Sequence, residues 1–279
     1  MTLPAGASAA RPVGGGDINE AFRVVLADGS DAFVKTRPGA APGEYAAEAA
    51  GLEWLAEPGA LRTPRVLAVD DGYLALEWVD AGRLEDAGAE ELGRGLARIH
   101  FSGADAFGAF DALGGSSHAR FGSLQLPNDP TAEWPSFYAQ RRLRPLASIA
   151  GEREALSPSG LAAVETVCER LPELAGPPEA PARLHGDLWS GNVMADAGGR
   201  PVLIDPSAYG GHREVDLAML RLFGAPSRAF FDAYEESAAP LADGHAERVD
   251  LYQLLPLLVH AVLFGGGYGA QVESAARRY

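Results

Sequence analysis

Apolar and polar positions alternate over short runs in the first third of the chain and follow a helical period through most of the rest. Two alternating runs, 21–26 and 32–35, flank Ala27-Asp28-Gly29-Ser30, and Asp-Gly between apolar runs signals a hairpin. Residues 44–57 carry helical spacing in Tyr45, Ala49, Leu52, Leu55 and Ala56, stopped by Pro58-Gly59. Runs 66–69 and 73–79 around Asp70-Asp71-Gly72 predict a second strand pair. Past Asp80-Ala81-Gly82 the period changes, and helices are predicted over 86–101, 134–149, 159–171, 213–223, 227–237, 245–263 and 270–278. Residues 1–11 read as a frayed tail. Residues 102–133, rich in Gly, Ser and Pro, read as an irregular excursion, and 172–182, with four prolines, as a loop. The pattern predicts an α+β protein in two lobes. Residues 1–79 form a small antiparallel-sheet lobe with one helix, and 80–279 a larger, mainly helical one.

Composition changes this picture in one place. The 279 residues, 47% apolar and 22% charged, suit a globular protein with a substantial core. A net charge of −15 argues against nucleic acid or an anionic membrane as partner. The most apolar stretch, 254–264, is too short to span a bilayer, and the N-terminus lacks a signal-peptide pattern, so a cytoplasmic protein is expected. The single cysteine, Cys168, excludes an internal disulfide and falls on an apolar helix face as an inert thiol. The sharper fact is that 22 arginines accompany one lysine, Lys35. A bias toward Arg leaves Lys where a compact charge on a thin stem is required, because a wide planar fork cannot replace it.

The candidate chemistry centres on Arg183-Leu184-His185-Gly186-Asp187-Leu188-Trp189-Ser190-Gly191-Asn192, followed by the apolar run Val202-Leu203-Ile204 and Asp205. His-Gly-Asp with Asn five residues after the Asp repeats the spacing of a kinase catalytic loop, with Gly where Arg is usual. Asp187 could accept a hydroxyl proton, and Asn192 and Asp205 offer the hard oxygens that Mg²⁺ prefers beside ATP phosphates. Lys35, closing a strand after a Gly-rich turn and a hairpin, matches the kinase lysine that meets those phosphates. Either Glu44 or Glu48 could hold it, and Glu48 is preferred for its place before the apolar Leu52-Leu55 face. For each glutamate alone, a solvated helix surface is the plainer reading. Gly14, Gly15 and Gly16 could let backbone approach phosphate, although taken alone they read as a leader turn. Glu77, Trp78 and Val79, between the lobes, stand where a kinase hinge meets adenine. Asp216, eleven residues beyond Asp205, could accept catalytic-loop N–H groups or be only a helix N-terminal charge. His100 and His260 lie on apolar helix faces and are most simply core residues. A serine hydrolase would need G-x-S-x-G and a zincin H-E-x-x-H, and neither occurs.

The run His185-Gly186-Asp187-Leu188-Trp189-Ser190-Gly191-Asn192 resembles the signature of the fructosamine kinase (ketosamine-3-kinase) family, within the aminoglycoside-phosphotransferase and choline-kinase group. Trp134-Pro135-Ser136-Phe137-Tyr138, Ile204-Asp205-Pro206, Asp216-Leu217-Ala218-Met219-Leu220 and Leu263-Phe264-Gly265 carry the likeness through the chain. The resemblance implies a bilobal protein-kinase-like fold and ATP- and Mg²⁺-dependent phosphorylation of the 3-hydroxyl of fructosamines, a deglycation activity. It implies Asp187 as base, Asn192 and Asp205 as metal ligands, and Lys35 with Glu48 as ion pair. Residues 14–16 and 77–79 would sit around the nucleotide, Trp189 and His260 against the acceptor, and His185 and Asp216 in support. The alternatives are a kinase of another small alcohol or amino sugar, or a non-catalytic nucleotide-binding protein. Asp17 stands where some members carry a redox-active Cys, Pro130 where many have Trp, and Val259 where many have Asn.

Overall fold

A computed structural model describes residues 9–14, 19–110 and 118–279. Five antiparallel strands make the small lobe: β1 (Ala9–Val13), β2 (Glu20–Val25), β3 (Asp31–Thr36), β4 (Val66–Asp70) and β5 (Tyr73–Glu77), in the order β1-β2-β3-β5-β4. The β2–β3 turn closes as Asp-Gly predicts, with Leu26 N–H donating to Ser30 O and Gly29 at φ +83°. Residues 9–11 depart from the expected tail. They belong to an edge strand paired with β2 from Ala9↔Val25 to Val13↔Ala21. Backbone groups make that pairing, so it needs little apolar patterning and leaves a weak sequence signal.

Alternation along β3 decides where its lysine goes. Ala32 and Val34 pack with Val24 and Ala75 on one face of the sheet. Phe33 packs on the other face with Leu74, Leu76, Tyr45 and Leu52, where helix α1 (Glu44–Ala56) lies. Lys35, two residues from Phe33, therefore faces α1.

The larger lobe begins with α2 (Asp86–Phe101) and crosses a hairpin of β6 (His118–Phe121) and β7 (Leu124–Pro127). This hairpin lies in the stretch expected to be irregular. Gly122-Ser123 is its two-residue turn, with Gly122 at φ +58°, and Ala119, Phe121, Leu124 and Leu126 are buried. The expected helix over 134–149 is three pieces: α3 (Trp134–Phe137), a π turn (Tyr138–Leu143) and α4 (Arg144–Glu152). The backbone widens just before Pro145, which has no N–H to continue an α-helical ladder. Then follow α5 (Pro158–Leu174), β8 (Ala182–Leu184), β9 (Val193–Ala195), β10 (Pro201–Leu203), β11 (Tyr209–Gly211), α6 (Glu214–Leu222), α7 (Arg228–Ser237), α8 (Val249–Phe264) and α9 (Tyr268–Ala276). Two short ladders, β9–β10 and β8–β11, frame the residues between them. No described helix is long and apolar enough to cross a membrane.

Contacts of the linker and of α1 help to fix one lobe on the other. Gly82, in the linker, donates its N–H to Ala195 O, and a Cβ there would sit 2.1 Å from Asp196 O. The Trp54 ring of α1 stacks on Phe110 at 3.9 Å, with the Arg183 guanidinium 4.5 Å from its centroid. Gly51 of α1 lies against Pro206 and Ala208, where a Cβ would find atoms at 3.2–3.3 Å. The helix that carries Glu48 is thereby held directly over the segment that follows Asp205.

Candidate active site

The catalytic-loop candidate runs from the end of β8 to the start of β9, and buried polar groups hold its shape. Asp216, wholly buried in the first turn of α6, accepts from His185 N–H at 2.8 Å and Gly186 N–H at 2.9 Å. Its Oδ2 also meets His100 Nε2 at 3.2 Å, and His100 Nδ1 meets the Tyr234 hydroxyl at 2.8 Å. His100 is thus buried with both ring nitrogens bonded. The His185 ring lies 2.9 Å from Ile204 O through Nε2 and accepts from Asp187 N–H through Nδ1. With Nδ1 accepting, Nε2 carries the proton and donates to Ile204 O. Burial lowers the His185 pKa, against the field of Asp216, which keeps that neutral tautomer. Gly186 is at φ +83°, and a Cβ on it would fall 2.1 Å from Ser207 O. No residue but glycine fits there, which accounts for Gly in place of Arg.

Asp187 is braced from the other side. Asn192, in a short 3₁₀ turn, donates Nδ2 to Asp187 O at 2.8 Å and to Asp187 Oδ2 at 3.0 Å. Burial raises the Asp187 pKa to about 7; the Asn192 bond opposes the rise, and the charges of Asp205 and Asp216 add to it. A carboxyl group near neutrality suits proton transfer at physiological pH. Asp205 follows β10 at φ +52°, in the left-handed region that Asp tolerates better than most side chains.

Lys35 joins the lobes. Its Nζ lies 2.5 Å from Glu48 Oε2 and 2.9 Å from Asp205 Oδ1. Burial alone would lower its pKa, but the two carboxylates outweigh that and hold it above the ordinary lysine value. Burial lifts Glu48 to about 7, with Lys35 opposing and Asp205 adding to the rise. Asp205 moves the other way: burial pushes its pKa up, and Lys35 more than reverses it. The second glutamate considered, Glu44, is turned elsewhere. It takes two bonds of 2.6 and 2.7 Å from Arg37 and lies 3.8 Å from Arg120.

Among the described residues, no cluster of three or more His, Cys, Asp or Glu could cage a metal ion. The donors present suit a cation shared with phosphate. Asn192 spends its N–H groups on Asp187, which turns its carbonyl oxygen away from that carboxylate. Asp205 gives one oxygen to Lys35 and keeps its side chain 45% exposed. Two hard oxygens beside a lysine are the donor set of a divalent cation that completes its shell with phosphate and water.

A cavity of about 510 Å³ brings these groups together. Lys35, Glu48, Asp187, Asn192 and Asp205 line one end, with Trp189 beside them. His260 lines the opposite end with Phe223, Phe264 and Tyr268, and the β6–β7 hairpin contributes His118 and Arg120. His260 is therefore a half-buried wall residue rather than a core one. Phe223, Tyr268 and Arg120 carry no motif, and Phe264 entered only within the stretch Leu263-Phe264-Gly265, with no role attached; a further hint was Gly265-Gly266-Gly267 between two aromatic residues. Gly14 and residues 77–79 do not line this cavity. Glu77 ends β5 and pairs with Arg62, and Trp78 donates Nε1–H to Asp80 beneath the Arg23 guanidinium. Gly15 and Gly16, like Asp17, lie outside the described residues.

The sequence profile of the family described as fructosamine kinase matches residues 3–279. A Lactiplantibacillus plantarum protein assigned as a ketoamine kinase is 36% identical over 275 residues, covering 96% of this chain and 93% of its own. The crystal structure of a Thermobifida fusca protein assigned as a fructosamine-3-kinase superposes with a TM-score of 0.88 at 44% identity. It covers 97% of this chain and 93% of that one. A choline kinase structure from Streptococcus pneumoniae, 17% identical, shares the fold with a TM-score of 0.62 over 98% of this chain and 93% of its own.

Proposed function

The chain belongs to the fructosamine kinase family, with a protein-kinase-like fold, and from that premise we propose how its residues phosphorylate the 3-hydroxyl of a ketosamine. It is an ATP-dependent kinase of ketosamines, and kinases of this kind use, as a rule, a divalent cation; we take that cation to be Mg²⁺. ATP supplies the γ-phosphoryl group, and the cation offsets the charge of its phosphates. Asn192, through its side-chain carbonyl, and Asp205, through its carboxylate, would hold the cation. Lys35, kept in place by Glu48, points its ammonium at the phosphates. Asp187 takes the hydroxyl proton as the sugar oxygen attacks. Asp216 and His185 fix the loop so that this carboxylate needs no rearrangement. Residues 14–16 and 77–79 sit around the nucleotide, and Trp189 and His260 contact the acceptor. The lobe boundary falls at 79/80, and a cytoplasmic setting, where ATP is available, accords with this reading.

The observation that carries the proposal is one continuous chain of contacts, Glu48–Lys35–Asp205 beside Asn192–Asp187, in a single cavity. The experiment is ATP consumption coupled to product detection with a fructose-lysine analogue. Equimolar ADP and 3-phosphorylated product are expected. Turnover of a different alcohol, with none on any ketosamine, would overturn the acceptor assignment.

A further inference from the structure

The end of the cavity away from Lys35 is walled by rings in mutual contact. Trp189 and Phe223 lie 6.4 Å apart edge to face, and Phe223 stands 4.5 Å from His260. His260 is 5.3 Å from Phe264 and 5.1 Å from Tyr268. Phe264 is 50% exposed and Trp189 38%, so two of the largest apolar side chains face solvent at the rim of a cavity whose other end is ionic. A folded chain leaves such rings open where something apolar is to cover them.

The backbone presents the rings deliberately. Phe264 ends α8 and Tyr268 begins α9, with Gly265-Gly266-Gly267 between them. Gly265 and Gly266 are at φ +65° and +62°, which side-chain-bearing residues rarely adopt. A Cβ at any of the three would meet nothing within 4 Å, so close packing does not explain the glycines. They make the reversal that brings both rings to one cavity.

Charge then says what the wall receives. A ketosamine joins its sugar to a carrier through a secondary ammonium, three bonds from the carbon that bears the 3-hydroxyl. With that hydroxyl at Asp187, the nitrogen and its carrier must leave along one side of the cavity. On the hairpin side stand Arg120 and the Glu44 carboxylate, which Arg37 and Arg120 already pair, so that side leaves a guanidinium and no unpaired carboxylate to meet an ammonium. On the ring side the lining includes no Arg, Lys, Asp or Glu, and aromatic faces attract a cation. His260 donates Nδ1–H to Pro256 O at 2.8 Å, with its pKa lowered by burial, so its other nitrogen is a neutral acceptor for an N–H.

We propose that Phe223, His260, Phe264 and Tyr268, with Trp189, form a carrier subsite that binds the amine portion of the ketosamine and selects apolar or aromatic carriers over acidic ones. This rests on the ketosamine-kinase reading. The ring faces bind the ammonium and the apolar group beyond it, and the lack of a cation on that wall leaves a carboxylate unpaired.

The test is kcat/KM with fructosamines of benzylamine, methylamine and glycine, for the wild type and for F264A, Y268A and F264Y. Benzylamine is expected to exceed glycine by at least ~10-fold in the wild type, the scale of one well-packed apolar group. That ratio should shrink in F264A and Y268A and return in F264Y. Turnover of all three with no such preference, or a preference unmoved by F264A and Y268A, would overturn the subsite and leave the kinase assignment standing. Turnover of none of the three would overturn both.

Discussion

The two ends of the cavity are built on opposite principles. At the lysine end ion pairs and hydrogen bonds hold the polar groups: Lys35 by Glu48 and Asp205, Asp187 by Asn192, and the loop backbone by Asp216. At the far end ring contacts predominate, with one hydrogen bond from His260 to Pro256 O, and three glycines join the helix ends that carry Phe264 and Tyr268. Phosphoryl transfer is mainly positioning and electrostatics, so its groups need a rigid frame that leaves no charge unpaired. Recognition of a variable amine tolerates looser walls. The difference separates what chemistry fixes from what an acceptor can vary.

The largest effect should come from the lysine end. Asp187→Asn removes the proposed proton acceptor while keeping the shape, and kcat should fall at least ~10²-fold. Steady-state kinetics that show a nearly unchanged kcat would take Asp187 out of that role. Gly186→Ala strikes the same loop through its backbone. With φ at +83° and a carbonyl 2.1 Å from the added methyl, the loop must open, and activity should be lost with a lowered Tm. A soluble, active G186A would show that the loop frame yields.

Asp216→Ala should come next, since it leaves two buried backbone N–H groups and His100 without their acceptor. The expected loss is roughly 3 kcal/mol of unfolding free energy, read by denaturant titration. A loss under about 1 kcal/mol would mean that water replaces the carboxylate.

A smaller effect follows from the burial of two carboxyl groups. Asp187 and Glu48 both have folded pKa values near 7, well above their unfolded values. The folded state keeps those protons longer, so the contribution of these two groups to the stability of the ligand-free protein should fall as pH rises from about 4 to about 7, while His185, His212 and His260, whose pKa values burial lowers, act in the opposite sense over that range. Asp205, whose pKa is lowered, gains its contribution only in the lower carboxylate range, outside that window. Thermal melts of wild type and Asp187→Asn across the range check it: the variant should gain Tm relative to wild type as pH rises toward 7, and a difference that does not change with pH would remove Asp187 from that account. At the ring end, Phe264→Ala should shift stability by only about 0.5 kcal/mol, as for a half-exposed residue. A drop as large as that of Asp216→Ala would erase the contrast between the ends.

The chemical groups of the lysine end were legible because residue type and close spacing define them. Asp187 and Asn192 share one loop, and a lone lysine among 22 arginines marks a site where size and charge both matter. The choice between Glu44 and Glu48 needed the packing, because both sit on the same face of α1, one turn apart. Only the docking of α1 on Pro206 and Ala208 sends Glu48 toward Lys35 and leaves Glu44 to Arg37. The ring wall was legible only in part: Trp189 and His260 were expected at the acceptor from the family resemblance, whereas Phe223 and Tyr268 were not, because the four come from separate segments.

The sequence alone thus carried the Lys35, Asp187, Asn192 and Asp205 candidates, the α+β class, the Asp-Gly hairpin of β2 and β3 and most of the helices. Each depends on local periodicity, turn chemistry or a short motif. Only the folded structure decided the edge pairing of Ala9–Val13, the β6–β7 hairpin and the gathering of Phe223 and Tyr268 with Trp189 and His260 on one cavity, and it set Glu48, the candidate preferred from the sequence, 2.5 Å from Lys35. Those depend on backbone bonds and side-chain contacts between residues far apart in the chain, which no short window of sequence contains.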